Sequence, residues 1–186
     1  MTITFQSLFL PDLWGEKRAN PSNGINKEFM EAIPEGQLFP WLTRFCAYRE
    51  RCISEVRLKL RSKGFVGDPA NEFIQRLQEQ DYLNEERYAS MFAGGHFRQK
   101  QWGRKKIEAA LLSKGIERGL IARALNELSI PEYKKTLLQL AEKAWRKQSG
   151  HPDSIRWARV RAMLQRKGFE SGMIAGIRQQ VMPIKK

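Results

Sequence analysis

Cysteine and histidine are the residue types that most often supply nucleophiles and metal ligands, and this chain has two of each. Cys46 and Cys52 lie six residues apart, a spacing that matches neither a metal-binding motif nor a redox pair. His96 and His151 lie far apart along the chain, and neither stands beside an acidic cluster. We therefore expect no metal site, and two reduced thiols in a cytoplasmic protein.

Acidic residues and glycines do not assemble a catalytic site either. Asp81 and the pair Glu85-Glu86 are better explained as charges in a loop and in the first turn of a helix, where negative charge is favourable. The pair Gly94-Gly95 is isolated, and the sequence contains no glycine-rich phosphate loop and no nucleophile motif. The sequence therefore predicts a protein that is not an enzyme and that needs no cofactor.

Positive charge is the strongest signal in the composition. The chain has 33 Lys and Arg residues against 20 Asp and Glu, which gives a formal net charge of +13. A surplus of this size favours a polyanionic partner, or a protein that is itself bound to one. The alternative is a solvated surface that serves solubility, but acidic residues usually serve that purpose better.

The basic residues concentrate in two stretches, residues 97–106 and 143–168. The candidate contact residues are Arg98, Lys100, Arg104, Lys105, Lys106, Arg156, Arg159, Arg161, Arg166 and Lys167. Arg and Lys in such clusters suit contact with the phosphate backbone of nucleic acid, which is salt-sensitive and independent of base sequence. Trp102 and Trp157 lie among them and are candidates for base stacking, with gap filling between helices as the favoured alternative.

Three Lys-Gly pairs, each followed by an apolar residue, give the chain a period of about fifty residues. The glycines Gly64, Gly115 and Gly168 are 51 and 53 residues apart. Apolar residues precede each glycine by four and by eight positions, on one helix face: Leu60, Leu111 and Leu164, then Val56, Ile107 and Val160. Glycine ends a helix without a steric penalty, and the preceding lysine suits the negative end of the helix dipole. The pattern predicts a helix, a stop and a second helix three times.

A further helix fits before each Lys-Gly pair, in residues 41–52, 84–97 and 131–145. Asn84 is the expected cap of the second of these helices, and Pro131 is tolerated at the start of the third. We therefore predict an all-α fold of three tandem three-helix, helix-turn-helix-like repeats that form an elongated, curved array.

The predicted repeats span residues 39–83, 84–130 and 131–182, and residues 183–186 form a tail. Residues 1–38 do not follow the period, because prolines, asparagines and glycines interrupt them. We expect this segment to be a flexible leader, although its aromatic residues leave open that it docks on the body or on a partner.

The pair of helices around Gly115 has the length and turn of a DNA-binding helix-turn-helix. Such motifs read bases with Arg, Lys, Asn or Gln on the second helix. Here the second helix offers only Arg123 and Asn126, and its other positions suit packing. We interpret the segment as a repeat unit and not as a reader of DNA sequence.

No apolar run approaches the ~18 residues that a membrane-spanning helix needs. The N-terminus has neither a basic leader nor a small-residue cleavage site after an apolar stretch. We therefore expect a soluble, cytoplasmic monomer with no membrane partner.

Several segments of the chain resemble the RecX family of recombination regulators. They are "SEVRLKLRSKGF" in the first repeat, and "QDYLNEERYASMF", "WGRKKIEAALLSKGI" and "LIARALNEL" around and within the second. The resemblance covers roughly residues 40–182, and it is most specific between "YLNEERYA" and "KGI".

The resemblance implies a non-enzymatic regulator of homologous recombination, DNA repair and the SOS response. Proteins of this family bind the RecA recombinase, chiefly as a filament on single-stranded DNA. They lie along the filament groove and restrain its ATPase, strand-exchange and coprotease activities. The basic residues named above would then face the DNA or acidic walls of the groove. The rival hypothesis is a stand-alone nucleic-acid-binding repeat protein, architectural or RNA-associated, that has no recombinase partner.

Overall fold

The computed structural model describes residues 35–182, and within this range the chain forms ten helices and no strand. The helices are α1 (Glu35–Tyr48), α2 (Ile53–Arg61), α3 (Asp68–Glu79), α4 (Glu85–Lys100), α5 (Arg104–Ser113), α6 (Arg118–Asn126), α7 (Ile130–Arg146), α8 (Asp153–Arg166), α9 (Ser171–Gly176) and α10 (Arg178–Val181). The predicted all-α class is confirmed. The expectations for residues 1–34 and for the tail 183–186 lie outside the described residues.

The three Lys-Gly stops adopt the same backbone geometry. Gly64, Gly115 and Gly168 have φ values of 86°, 81° and 88°. At each stop the amide after the glycine donates to the carbonyl five residues before it, as Ile116 does to Leu111 at 3.2 Å. The glycine amide itself donates to the carbonyl three residues before it. This pair of bonds is the Schellman motif, which ends a helix with a left-handed residue.

Side chains and a proline mark the starts of the longest helices. Asn84 Oδ1 accepts a hydrogen bond of 3.0 Å from the Arg87 amide, which makes Asn84 the cap of α4 as predicted. Ser129 caps α7 in the same way, and Pro131 lies in the first turn, where its missing amide hydrogen costs nothing.

We refer to α1–α3 as repeat 1, α4–α6 as repeat 2 and α7–α10 as repeat 3. Helix α1 begins at Glu35, before the predicted start of the first repeat at residue 39, and Leu38 is fully buried. Repeat 3 ends in two short helices instead of one, and the break falls at Ile177, directly after Gly176. Glycine is a weak helix former, which accounts for a break at this point.

The apolar stripe predicted from the period is the core of the fold. Leu60, Leu111 and Leu164 are each 0% exposed, and the valine or isoleucine one turn earlier is as deeply buried. The buried residues divide into two clusters, one within repeat 1 and one that repeats 2 and 3 share and that also includes Cys52 of repeat 1. Repeats 2 and 3 therefore form one packed body.

Among residues 35–182, no helix is both long enough and apolar enough to cross a lipid bilayer.

Candidate partner and nucleic-acid interface

The two predicted basic stretches meet where the loop between α4 and α5 contacts the end of α8. The Gly103 amide donates a hydrogen bond of 2.7 Å to the Lys167 carbonyl oxygen. The Lys105 amide donates one of 3.0 Å to the Gly168 carbonyl oxygen. Residues that are far apart in sequence therefore form one surface at the joint between repeats 2 and 3.

This backbone contact leaves no room for a side chain at either glycine. A Cβ atom on Gly103 would overlap the carbonyl group of Gly168, and one on Gly168 would overlap the backbone nitrogen and Cβ of Lys106. Backbone atoms cannot move aside as the end of a flexible side chain can. The joint therefore requires glycine at both positions.

Two lysines of the first stretch lie over the half-buried indole of Trp102, and Lys167 of the second stretch bonds to the backbone of one of them. Lys106 Nζ lies 4.6 Å and Lys100 Nζ 5.3 Å from the centroid of the indole, within the range of cation–π attraction. Lys167 Nζ donates a hydrogen bond of 3.1 Å to the Lys100 carbonyl oxygen. Partial burial lowers the pKa of Lys167, and the positive charge of Lys106 lowers it further. We call Lys100, Trp102, Lys106 and Lys167 the Trp102 cluster.

Arg104 is directed towards repeat 3 and not towards solvent. Its Nη1 lies 3.7 Å from Glu170 Oε1, and its guanidinium carbon lies 4.7 Å from the centroid of the Tyr133 ring. The Tyr133 hydroxyl donates a hydrogen bond of 2.6 Å to Glu170 Oε2 and accepts one of 3.0 Å from the Arg104 amide. Burial, with Glu170 beside it, raises the pKa of Tyr133. Arg104 thus helps to hold repeats 2 and 3 together.

Two arginines of α8 also have partners within the chain. Arg156 is half-buried, with Nη1 3.2 Å from Asp153 Oδ1 and Nη2 donating to the Trp145 carbonyl oxygen at 3.1 Å. Its guanidinium carbon lies 3.8 Å from the centroid of the Trp145 ring. Arg159 is exposed and donates a hydrogen bond of 2.8 Å to Gln148 Oε1. Arg156 therefore fixes α8 to the end of α7, whereas Arg159 remains accessible.

The other basic candidates are exposed, and within residues 35–182 none of them forms an ion pair with a carboxylate. They are Arg98, Lys105, Lys106, Arg161 and Arg166. The two tryptophans differ from each other. Trp157 is only 8% exposed and packs in the core that repeats 2 and 3 share, so it fills space between helices, whereas Trp102 remains half-buried.

Repeat 1 carries a group of aromatic and basic residues that the sequence analysis missed. The rings of Trp41 and Phe45 are nearly parallel, with centroids 6.1 Å apart. Lys59 Nζ lies 5.2 Å and Lys63 Nζ 5.8 Å from the Trp41 centroid. The signal was present, because residues four positions apart in a helix lie on one face. The aromatic pair and the lysine pair both have this spacing.

Glu55 joins repeat 1 to repeat 2. Its Oε1 lies 2.9 Å from Lys114 Nζ and accepts a hydrogen bond of 3.2 Å from the Tyr88 hydroxyl. Its Oε2 lies 3.1 Å from Arg49 Nη2 and 3.6 Å from Arg51 Nη1, as ion pairs. Burial alone would raise the pKa of Glu55, but these three cations outweigh it and hold the pKa below its ordinary value.

Cysteine and histidine side chains can bind metals, and cysteines can also undergo redox chemistry, but the described ones are not grouped into a metal site. Cys46 and Cys52 are buried free thiols, and burial raises the pKa of Cys46 to about 11. Burial lowers the pKa of His96, whose Nδ1 lies 3.0 Å from the Phe92 carbonyl oxygen. Within the part of the chain that the structure describes, no three His, Cys, Asp or Glu side chains are grouped as metal ligands would be.

Two family models match the region that contains this interface. Residues 84–125 match the second three-helix domain of RecX, and residues 132–176 match its third three-helix domain. The chain belongs to the RecX family.

Proteins named regulatory protein RecX are similar to this chain over much of its length. The one from Oceanobacillus iheyensis is 28% identical over 137 residues, which cover 74% of this chain and 50% of that protein. The one from Clostridium perfringens is 35% identical over 91 residues, which cover 49% of this chain and 42% of that protein. The chain thus spans about half the length of these two RecX proteins.

Solved RecX structures share the fold. The crystal structure of RecX from Lactobacillus salivarius superposes with a TM-score of 0.73 at 25% identity, and the match covers 78% of this chain and 95% of that one. A second RecX crystal structure gives a TM-score of 0.71 at 22% identity, over 77% of this chain and 72% of that one. The predicted fold of RecX-like helical repeats is therefore confirmed.

Proposed function

We propose that this protein binds the RecA recombinase, chiefly as a filament on single-stranded DNA, and restrains its ATPase, strand-exchange and coprotease activities. The observation that carries the proposal is the match of residues 84–125 and 132–176 to the second and third three-helix domains of RecX. In this proposal the protein acts by binding alone, as a cytoplasmic monomer without a cofactor.

The distribution of charge supports a partner that carries phosphate. The exposed basic residues near the end of α4, in α5 and in α8 offer cations to a groove that contains DNA. Their contacts would be to the phosphate backbone and to acidic groove walls, and therefore independent of base sequence.

The ten candidate residues fall into three groups in this proposal. Arg104 and Arg156 hold the helices that carry the surface, because their guanidinium groups already have partners within the chain. Arg98, Lys105, Arg159, Arg161 and Arg166 are free to contact RecA or DNA. Lys100, Lys106 and Lys167 belong to the Trp102 cluster, which is accessible through Lys106.

The test is the ATPase activity of RecA on single-stranded DNA, with this protein titrated in from well below equimolar amounts. We expect inhibition, and inhibition at low ratios would indicate that the protein blocks filament extension. Unchanged ATPase and strand-exchange activities at equimolar protein would contradict the proposal.

The rival function is that of a stand-alone nucleic-acid-binding protein, and the Trp102 cluster is the observation that favours it. Such a protein would bind bare DNA tightly, and log K would fall with log salt by about 0.9 for each duplex phosphate neutralised. Tight, salt-sensitive binding to bare DNA without any effect on RecA would support the rival.

A further inference from the structure

Lys106 of the Trp102 cluster lies in the first turn of α5, where the helix dipole opposes positive charge. Helix α5 begins with Arg104, Lys105 and Lys106 and has no acidic residue in its first turn. The equivalent helices of the other repeats do have one, Glu55 in α2 and Asp153 in α8. Cations at the positive end of a helix are unfavourable, so this arrangement costs stability that a bound anion would restore.

Lys106 and Lys167 add to this excess of positive charge. Neither forms an ion pair with a carboxylate of residues 35–182, and partial burial, followed by the charge of Lys106, lowers the pKa of Lys167. Between two neighbouring ammonium groups, an anion replaces repulsion by attraction to both. Lys106 Nζ and Lys100 Nζ lie over the same Trp102 ring, and Lys167 Nζ bonds to the Lys100 carbonyl oxygen, so the cluster suits a small, strongly charged group.

The backbone amides at the start of α5 do not take part. The Gly103 amide donates to the Lys167 carbonyl oxygen, the Arg104 amide to the Tyr133 hydroxyl, and the Lys105 amide to the Gly168 carbonyl oxygen. Since these donors are used within the chain, a ligand must be bound by the lysine side chains.

The fold also holds these lysines in place before any ligand arrives. The backbone of Lys106 lies against Gly168, and its ammonium group lies over the Trp102 indole. The hydrogen bond from Lys167 to the Lys100 carbonyl oxygen orients the second ammonium group. Binding then loses less side-chain entropy than it would with two free surface lysines.

We propose that the Trp102 cluster binds a backbone phosphate of single-stranded nucleic acid between the ammonium groups of Lys106 and Lys167. Trp102 holds Lys106 by cation–π attraction, and the Lys100 carbonyl oxygen holds Lys167. The exposed neighbours Lys105 and Arg166 directly precede these two lysines in sequence, so adjacent phosphates of a polymer also find cations. This assignment rests on the proposed function in one respect, because both of them place nucleic acid on this surface.

The test is the binding of a fluorescently labelled oligothymidylate to the full chain, followed by anisotropy. We expect Lys106→Gln with Lys167→Gln to lower the affinity about fivefold in ~0.1 M salt and the salt slope by about 0.7, the contribution of one single-strand phosphate. The control is Lys134→Gln with Lys135→Gln, which removes the same charge from exposed lysines of α7. Equal losses in the two double variants would overturn the proposal.

Two further measurements test the folding of the variants and the chemical class of the ligand. Circular dichroism verifies that the variants are folded. If the double variant is not folded, Lys106→Gln alone, which changes an exposed position, replaces it. Inorganic phosphate is the second probe. Competition of phosphate with the oligonucleotide for the wild-type chain supports the site, whereas binding of phosphate without binding of the oligonucleotide overturns its assignment to nucleic acid.

The RecA assay separates this inference from the proposed function. The wild-type chain could inhibit RecA while the Lys106→Gln, Lys167→Gln variant binds the oligonucleotide as the control does. That result would contradict the phosphate site and support the proposed function. If the double variant loses oligonucleotide binding but the wild-type chain leaves RecA unaffected, the phosphate site is supported and the proposed function is contradicted.

Discussion

Lys114 Nζ lies 2.9 Å from Glu55 Oε1, so the lysine of the second Lys-Gly pair joins repeat 2 to repeat 1. The other two pairs use their lysines differently. Lys63 lies over the Trp41 ring within repeat 1, and Lys167 bonds to the Lys100 carbonyl oxygen across the joint between repeats 2 and 3. Besides its favourable place in the helix dipole, each lysine therefore has a tertiary contact of its own.

We expect Glu55→Gln to lower the free energy of unfolding by about 1–3 kcal/mol at pH 7, because it leaves cations at the joint without their counter-ion. The pKa of Glu55 is lowered in the folded state, so its stabilisation is fully present above the ordinary value of 4.5 and is lost as the pH falls through the folded value. The difference between wild type and variant in urea unfolding should therefore shrink at acid pH. Glu86→Gln is the control, since its ion pair with Arg123 is more than half exposed and should contribute ~1 kcal/mol at most. A difference that grows towards acid pH would contradict this account.

Gly103→Ala should destabilise the chain by about 1–3 kcal/mol, the usual cost of forcing extra atoms into packed structure. Its methyl group would overlap the carbonyl group of Gly168. The matched control is Gly95→Ala within α4, where no atom would lie within 4 Å of the added carbon. Removing glycine from a helix interior should there be neutral or stabilising by ~0.5–1 kcal/mol. Equal melting temperatures for the two variants would show that the backbone contact is not tight.

Two of the three Lys-Gly stops, at Gly115 and Gly168, should respond unequally to alanine. Gly115→Ala should lower the free energy of unfolding by about 1–2 kcal/mol, because a residue with a Cβ must then adopt the left-handed conformation. No steric cost is added, since nothing lies within 4 Å of the added carbon. Gly168→Ala has the same conformational cost and in addition overlaps Lys106. Thermal unfolding of both variants checks the order, and a larger loss at position 115 would be inconsistent with it.

Leu111→Ala should cost roughly 2–5 kcal/mol, because Leu111 is 0% exposed in the core of repeats 2 and 3. Leu58→Ala in α2, the equivalent helix of repeat 1, is the control. Leu58 is 68% exposed, so its replacement should change the free energy of unfolding by less than ~0.5 kcal/mol. Urea unfolding measures both, and a loss below ~1 kcal/mol for Leu111→Ala would count against the buried stripe.

Lys105→Glu with Arg159→Glu should weaken binding to the partner while helical content and melting temperature stay nearly unchanged, because both side chains are exposed. The same reversal of charge in Arg61→Glu with Lys134→Glu, also at exposed positions, separates a local effect from one of net charge. Inhibition of the RecA ATPase and binding to the RecA filament are the measurements. A collapse of the fold in the first variant would instead assign its residues a structural role.

The sequence was sufficient for features that are set locally. A glycine with positive φ, an asparagine that bonds to an amide three residues later and an apolar residue every turn are each determined by a few neighbouring residues. Gly115, Asn84 and Leu111 were therefore predictable, and with them the all-α repeats. The first helix began earlier than predicted because Leu38 packs on the core, which no local pattern indicated.

The candidate site was predictable only as a list of basic residues. Both basic stretches were visible in the sequence, but their meeting depends on a backbone contact between Gly103 and Lys167, which no spacing encodes. The same holds for Arg104, which looks like a surface cation in sequence and lies against Tyr133 and Glu170 in the structure. Long-range partners decide which cations remain available for a ligand.

The close approach of Gly103 and Gly168 has a consequence for the genetics of this protein. Any replacement at either position disturbs the docking of two repeats before it alters a contact with a partner. A screen for inactive variants will therefore recover both glycines, and each will resemble a binding residue although its phenotype arises from geometry. The atoms that face Gly103 belong to the backbone of Gly168 and Phe169, and those that face Gly168 belong to Lys106, so no second-site substitution that keeps Lys106 can remove the overlap.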